Sequence, residues 1–102
     1  MKFGLSDEQY SILNALLIQP LKAKKAQVYV FGSRARGKFH PFSDIDVLFI
    51  EEKDFSISAS DISKIKTDLE NSNLAIKVDL VRNQDLAQSY IASANKDKIL
   101  ID

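Results

Sequence analysis

Apolar residues recur at helical spacing in three stretches of the chain and gather into short extended runs in four others. From Ser6 to Gln19, the residues Ile12, Leu13, Leu16 and Leu17 form one stripe, the period of an amphipathic helix. Ser6 suits its N-cap, and Gln9 three residues on completes a capping box. Leu5 and Tyr10 can close a hydrophobic staple over that end. Asp7 and Glu8 fall in the first turn, where the helix dipole favours acids. Pro20 is expected to stop the helix or to lie just past its end. Lys22, Lys24 and Lys25 read as a solvated basic connector. Val28–Phe31, β-branched and aromatic and bounded by Gly32, reads as a strand. Asp44 to Ile50 is a second, with apolar residues on both faces, so it should be buried on both sides. Ala59 to Glu70 places Ile62, Ile65 and Leu69 on one helical face, and Asn71-Ser72-Asn73 ends it. Ile76 to Val81 is a third strand. Asn83 is expected to cap a last helix with Leu86, Ala87, Tyr90, Ile91 and Ala94 on one face. Ile99-Leu100-Ile101 suits a final short strand.

Helices alternating with strands predict an α/β domain with one small mixed sheet and helices packed on it. The tight link between the first two strands sets them antiparallel or oblique, and a helical crossover leads to the third. At 102 residues the chain reads as a single domain, 1–102, without repeats or a linker. Apolar residues at 45% and charged ones at 27% are those of an ordinary globular protein. Fourteen basic residues balance fourteen acidic ones, which removes a general electrostatic grip on nucleic acid or membrane. The absence of cysteine excludes disulfides, thiolate metal sites and thiol nucleophiles. The single His40 makes a histidine-rich metal site impossible and a serine-type triad improbable. No apolar run approaches a membrane span, and the charged start is no signal peptide. A cytoplasmic location is expected.

The chemistry concentrates in one segment, Phe31-Gly32-Ser33-Arg34-Ala35-Arg36-Gly37, followed by Lys38 to Phe42 and then Ser43-Asp44-Ile45-Asp46-Val47. Aspartate is depleted in strands, yet Asp44 and Asp46 open one that is otherwise apolar. Residues two apart on a strand point to the same side. Two carboxylates therefore stand side by side and repel unless cations offset them. Bound Mg²⁺ does this directly. Taken alone, the pair also suits a strand end in water. Gly32 follows a strand where the chain must turn sharply, and it permits positive φ and close approach of a ligand. Ser33 can open a short helical turn through Arg36 whose free N–H groups suit phosphate. Arg34 and Arg36 add positive charge. A third acid, Asp79, lies between apolar neighbours in the third strand. Alone it suits a partner for Lys77 or Arg82. Together with the turn and the acid pair it suits a two-metal phosphoryl-transfer site.

Gly32-Ser33, ten residues, then Asp44-Ile45-Asp46, with Val78-Asp79-Leu80 as a third motif, resembles the signature of the minimal nucleotidyltransferases of the DNA polymerase β-like superfamily. The resemblance runs from about Val28 to Val81 and more weakly to the C-terminus. It implies that Asp44 and Asp46 bind two Mg²⁺ ions. It implies that Asp79 completes the nucleophile-side metal site and helps deprotonate an acceptor hydroxyl. Gly32 and Ser33 would hold the β- and γ-phosphates of a nucleoside triphosphate, with Arg34 a further phosphate partner. The small stand-alone members resemble MntA-like antitoxins, which pair with a separately encoded helical HEPT-type protein, in several cases a toxin ribonuclease. The family reaction moves AMP from ATP to a tyrosine of that partner. The resemblance leaves open a small-molecule acceptor bound with a helical partner protein, and a non-catalytic antitoxin that acts by contact alone. The helical acceptor-binding domain of larger members is expected to be absent. Neither membrane nor direct nucleic-acid binding is expected.

Overall fold

In the structure, a computed structural model that describes residues 2–101, Ser6 caps the first helix as the sequence predicts. Its hydroxyl accepts from the Gln9 N–H at 3.1 Å, and its own N–H donates to Gln9 Oε1 at 2.9 Å. Pro20, however, does not end this helix. Helix α1 (Asp7–Leu13) widens into a π turn over Asn14–Ile18 and continues as α2 (Gln19–Ala23). A proline ring crowds the carbonyl four residues back and offers it no hydrogen. The widened turn removes that conflict, because the Gln19 N–H reaches back five residues to the Asn14 carbonyl. Gln19 Nε2 adds a bond to Asn14 Oδ1 at 3.0 Å. The inward stripe is Leu13, Leu17, Ile18 and Leu21, all fully buried. Burial of each contributes about 1.5–3 kcal/mol. Lys22 therefore lies within α2, while Lys24 and Lys25 form the turn, with Lys25 at φ 67°.

Four strands follow: β1 (Ala26–Phe31), β2 (Ile45–Glu51), β3 (Val78–Arg82) and β4 (Ile99–Ile101). Their order in the sheet is β3-β2-β1-β4. β1 pairs antiparallel with both β2 and β4, and β2 pairs parallel with β3. Helix α4 (Ala59–Glu70) makes the crossover from β2 to β3. Ser58 caps it by accepting from the Asp61 N–H at 3.1 Å. The sheet has two unlike faces. Val28, Val30, Ile45, Val47, Phe49 and Leu80 turn to the main core with the buried residues of the helices. The alternate positions, Phe31, Asp46 and Asp79 among them, turn to the other face.

The C-terminal stretch departs from expectation. Asn83 opens only a single 3-10 turn, Asn83–Asp85, before Leu86 and Ala87 become extended. Helix α5 (Gln88–Asp97) then starts without a side-chain cap. Tyr90 is 64% exposed instead of buried. β4 forms as predicted. Among the described residues no helix is long and apolar enough to cross a membrane.

Candidate active site

β1 ends at Phe31, and Gly32 turns the chain at φ 75°, ψ −153°. That backbone conformation strains any residue with a side chain. Space imposes a second demand, because a Cβ on Gly32 would collide with the Asp46 carboxylate. Helix α3 (Ser33–Arg36) follows at once, the short turn predicted from the sequence. Its first i→i−4 bond runs from the Arg36 N–H to the Gly32 carbonyl at 3.1 Å. The N–H groups of Ser33, Arg34 and Ala35 precede it and have no acceptor within the helix. Gly37, left-handed at φ 75°, closes the turn.

Register brings the acids together. Asp46 lies opposite Phe31 of β1 on one side and opposite Asp79 of β3 on the other. The two carboxylates therefore stand on adjacent strands, on one face, beside Gly32. Asp44 lies one residue ahead of β2 and is exposed. The Asp46 carboxyl titrates above the usual carboxylate range. Burial is the main cause, followed by the charges of Asp79 and Asp44, while Arg36 opposes the shift. Asp79 also forms a surface ion pair with Lys77 at 3.5 Å, so its simpler reading and its place beside Asp46 hold together.

Arg34 is not brought to this cluster. Its side chain is 2% exposed. Nε and Nη2 donate to the Ser43 carbonyl at 3.1 and 2.9 Å. Nη2 also donates to the Pro41 carbonyl at 3.0 Å, and Nη1 to the Phe3 carbonyl at 2.9 Å. The guanidinium lies over the Phe39 ring at 4.9 Å. Its donors are engaged by backbone carbonyls, where the sequence reading expects a phosphate partner. Arg36 is the exposed cation of the turn, and it pairs with Asp97 at the end of α5 at 2.7 Å. The sequence offered no sign of that long-range pair. Nor did it show the open groove of about 460 Å³ that borders Asp46 and Asp79, walled by Lys66, Lys77, Leu86 and Tyr90.

The donor set fits divalent metal. Asp46 and Asp79 adjoin at one end of the sheet with Asp44 nearby, and Asp46 carries a like-charge penalty that a cation would remove. Among the described residues no three acidic or imidazole groups already surround one point. Mg²⁺ asks for less, because one or two carboxylates hold it while substrate phosphates and waters complete its shell.

The nucleotidyltransferase domain family matches residues 14–102. A solved structure assigned as a minimal nucleotidyltransferase superposes with a TM-score of 0.66 at 28% identity, covering 99% of this chain and 97% of that one. A toxin–antitoxin structure with AMP-PNP superposes at 0.64 and 22% identity, over 85% of this chain and 70% of that one. A third, the tri-AMPylated Shewanella oneidensis HEPN toxin in complex with its MNT antitoxin, gives 0.59 and 20%, over 90% and 70%. A search of curated proteins returns no significant match. With the family matched over residues 14–102 and the Gly-Ser turn, the Asp-x-Asp segment and the third acid set at one end of the sheet, the chain belongs to the nucleotidyltransferase domain family.

Proposed function

We propose that this protein transfers AMP from ATP, with Mg²⁺, to a hydroxyl of a partner protein, most simply a tyrosine of a helical toxin. The observation that carries the reading is the register that sets Asp46 directly beside Asp79, with the side-chain-free Gly32 against the same carboxylate. The neighbours support the acceptor class, since one is an AMPylated HEPN toxin held by its MNT antitoxin.

Each residue has a distinct task. The Gly32 turn lets the triphosphate approach the backbone, and the N–H groups of Ser33 to Ala35 with the Ser33 hydroxyl bind its β- and γ-phosphates. Asp44 and Asp46 would hold two Mg²⁺ ions, with Asp79 completing the metal site on the acceptor side. When bound, the ions supply charge neutralisation at the attacking and leaving oxygens. Asp79 accepts the proton of the acceptor hydroxyl, whose pKa near 10 keeps it protonated at neutral pH. The oxygen then forms a bond to the α-phosphorus, the bond from α-phosphorus to the bridging oxygen breaks, and pyrophosphate leaves. The groove beside Asp79 is open enough for a side chain presented by another protein.

The test is incubation of the protein and MgATP, labelled at the α-phosphate, with a purified helical toxin of the HEPN type. Label on a tyrosine of that toxin is the expected result. Label only on a small molecule would move the acceptor class, and tight binding without any transfer would favour the non-catalytic role.

A further inference from the structure

We infer that Arg34 is a positioning residue that sets the orientation of Asp44; the inference rests on the functional reading above. Asp46 needs no such help, because β1 and β3 hold it on both sides. Asp44 lies ahead of the first residue of β2, and only its two flanking peptide units fix it. The unit after it is held by the Ile45 N–H, which donates to the Lys77 carbonyl at 3.0 Å. The unit before it presents the Ser43 carbonyl, and that oxygen receives two donors from the Arg34 guanidinium. The peptide planes on either side of Cα determine its φ and ψ. The direction of the Asp44 Cα–Cβ bond follows from them, and with it the set of positions its carboxylate can reach.

The surroundings of Arg34 are built for this grip. His40 to Ser43 is a tight turn, with the Ser43 N–H donating to the His40 carbonyl at 3.0 Å and the His40 N–H to Ser43 Oγ at 2.8 Å. Phe39 covers the guanidinium face. Gly4, at φ 74°, lies so close that a Cβ there would collide with the Phe39 ring and stand 3.1 Å from Arg34 Nη1. The Phe3 carbonyl beside it takes the remaining fork of the guanidinium. Arg34 thus joins the N-terminal turn, helix α3 and the connector into one unit. Among the described residues no carboxylate pairs with it, and backbone carbonyls and the Phe39 ring satisfy its charge. Burial lowers its pKa. Lysine cannot replace it, since an ammonium is a point donor and lacks the planar fork that binds one oxygen twice while reaching two others.

The test separates positioning from phosphate contact. Calorimetry measures Mn²⁺ binding, and separately binding of ATP in EDTA, to the wild type, Arg34→Lys and Arg34→Ala. Both variants should bind metal-free ATP like the wild type and lose about tenfold or more in Mn²⁺ affinity. Guanidinium ion at millimolar concentration should restore part of the Mn²⁺ affinity of Arg34→Ala and none of that of Asp44→Asn. Weaker metal-free ATP binding with unchanged Mn²⁺ affinity would make Arg34 a phosphate contact and overturn the inference. Wild-type behaviour in both assays would overturn it too. Should neither variant fold, Phe39→Leu, which uncovers the guanidinium and keeps every charge, decides by the same two measurements. Its Mn²⁺ affinity should fall several-fold, and no change refutes the positioning role. A wild-type protein that binds no Mn²⁺ even with a non-hydrolysable ATP analogue present would instead count against the functional reading itself.

Discussion

The Asp46 carboxylate occupies the place where a side chain on Gly32 would begin. Two motifs fourteen residues apart in sequence are therefore one object in space. The turn that suits phosphate is shaped by the acid that suits metal. Gly32→Ala should fail on both counts. The positive φ costs about 1–3 kcal/mol for a non-glycine residue, to be read from urea unfolding. Displacement of Asp46 by about an ångström should lower transfer roughly 10²-fold. Ser33→Ala keeps the backbone and should lose only about 1–3 kcal/mol of triphosphate binding. Equal activity of the two variants would separate the glycine from the acid.

The raised pKa of Asp46 has a consequence for stability. Its ordinary value is 3.8, and burial, Asp79 and Asp44 raise it in the folded protein. The folded state then holds the proton more tightly than the unfolded chain. This contribution is complete below the unfolded value and is lost as pH rises through the folded one. At neutral pH the ionised group is a cost. Asp46→Asn should accordingly melt higher than the wild type at pH 7 in metal-free buffer, and the difference should close as pH falls toward 3. Mg²⁺ should raise the melting temperature of the wild type more than that of the variant. A variant less stable at pH 7 would contradict the assignment.

Much of this site was legible before the fold. Asp44, Asp46 and Asp79 stand out because carboxylates are out of place at apolar strand ends, and Gly32 because a strand cannot turn so sharply otherwise. Helix α4 has the limits its apolar period marks, Ala59–Glu70. The misses have local physical causes. Pro20 reads as a stop, or as lying just past the helix end, because the π turn over Asn14–Ile18 leaves no mark in composition. Asn83 was read as a cap because its type suits one, but the chain extends at Leu86 and Ala87 before the helix starts. For Arg34 the sequence shows a position in the turn that suits a phosphate partner, but not the contacts of its side chain. Where a long side chain ends depends on the carbonyls of Phe3, Pro41 and Ser43, and these meet only in the folded chain.

Asp79→Asn should separate binding from chemistry. The triphosphate turn and the Asp44–Asp46 pair remain, so MgATP affinity should stay within a few-fold of the wild type. Loss of the proton acceptor should slow single-turnover transfer by about 10²–10⁴-fold. Raising the pH toward 9.5 should recover part of the rate, because a tyrosine acceptor ionises unaided near pH 10. Loss of ATP binding as severe as that of Asp44→Asn would deny Asp79 the acceptor side.

At the opposite end of β2, Glu51 and Arg82 pack as a largely buried ion pair, with Nε 2.9 Å from Oε1 in contact but without an aligned hydrogen bond. Glu51 also accepts from the Ile57 N–H, and Arg82 Nη2 donates to the Ile57 carbonyl at 2.6 Å. Removing one partner strands the other, at a cost of about 3–5 kcal/mol. Arg82→Ala should show that loss in urea unfolding while transfer per folded molecule stays unchanged. A cost under about 1 kcal/mol would mean that water reaches the pair.

The central claim, that this end of the sheet transfers a nucleotide through its α-phosphorus, is tested most directly by parallel incubations with ATP labelled at the α- or the γ-phosphate, using a purified HEPN-type helical toxin as acceptor. The α-label should become covalently attached to that protein and the γ-label should leave as pyrophosphate, while Asp44→Asn and Asp46→Asn, folded by circular dichroism, transfer neither. Attachment of the γ-label, or undiminished α-labelling by both variants, would contradict the account.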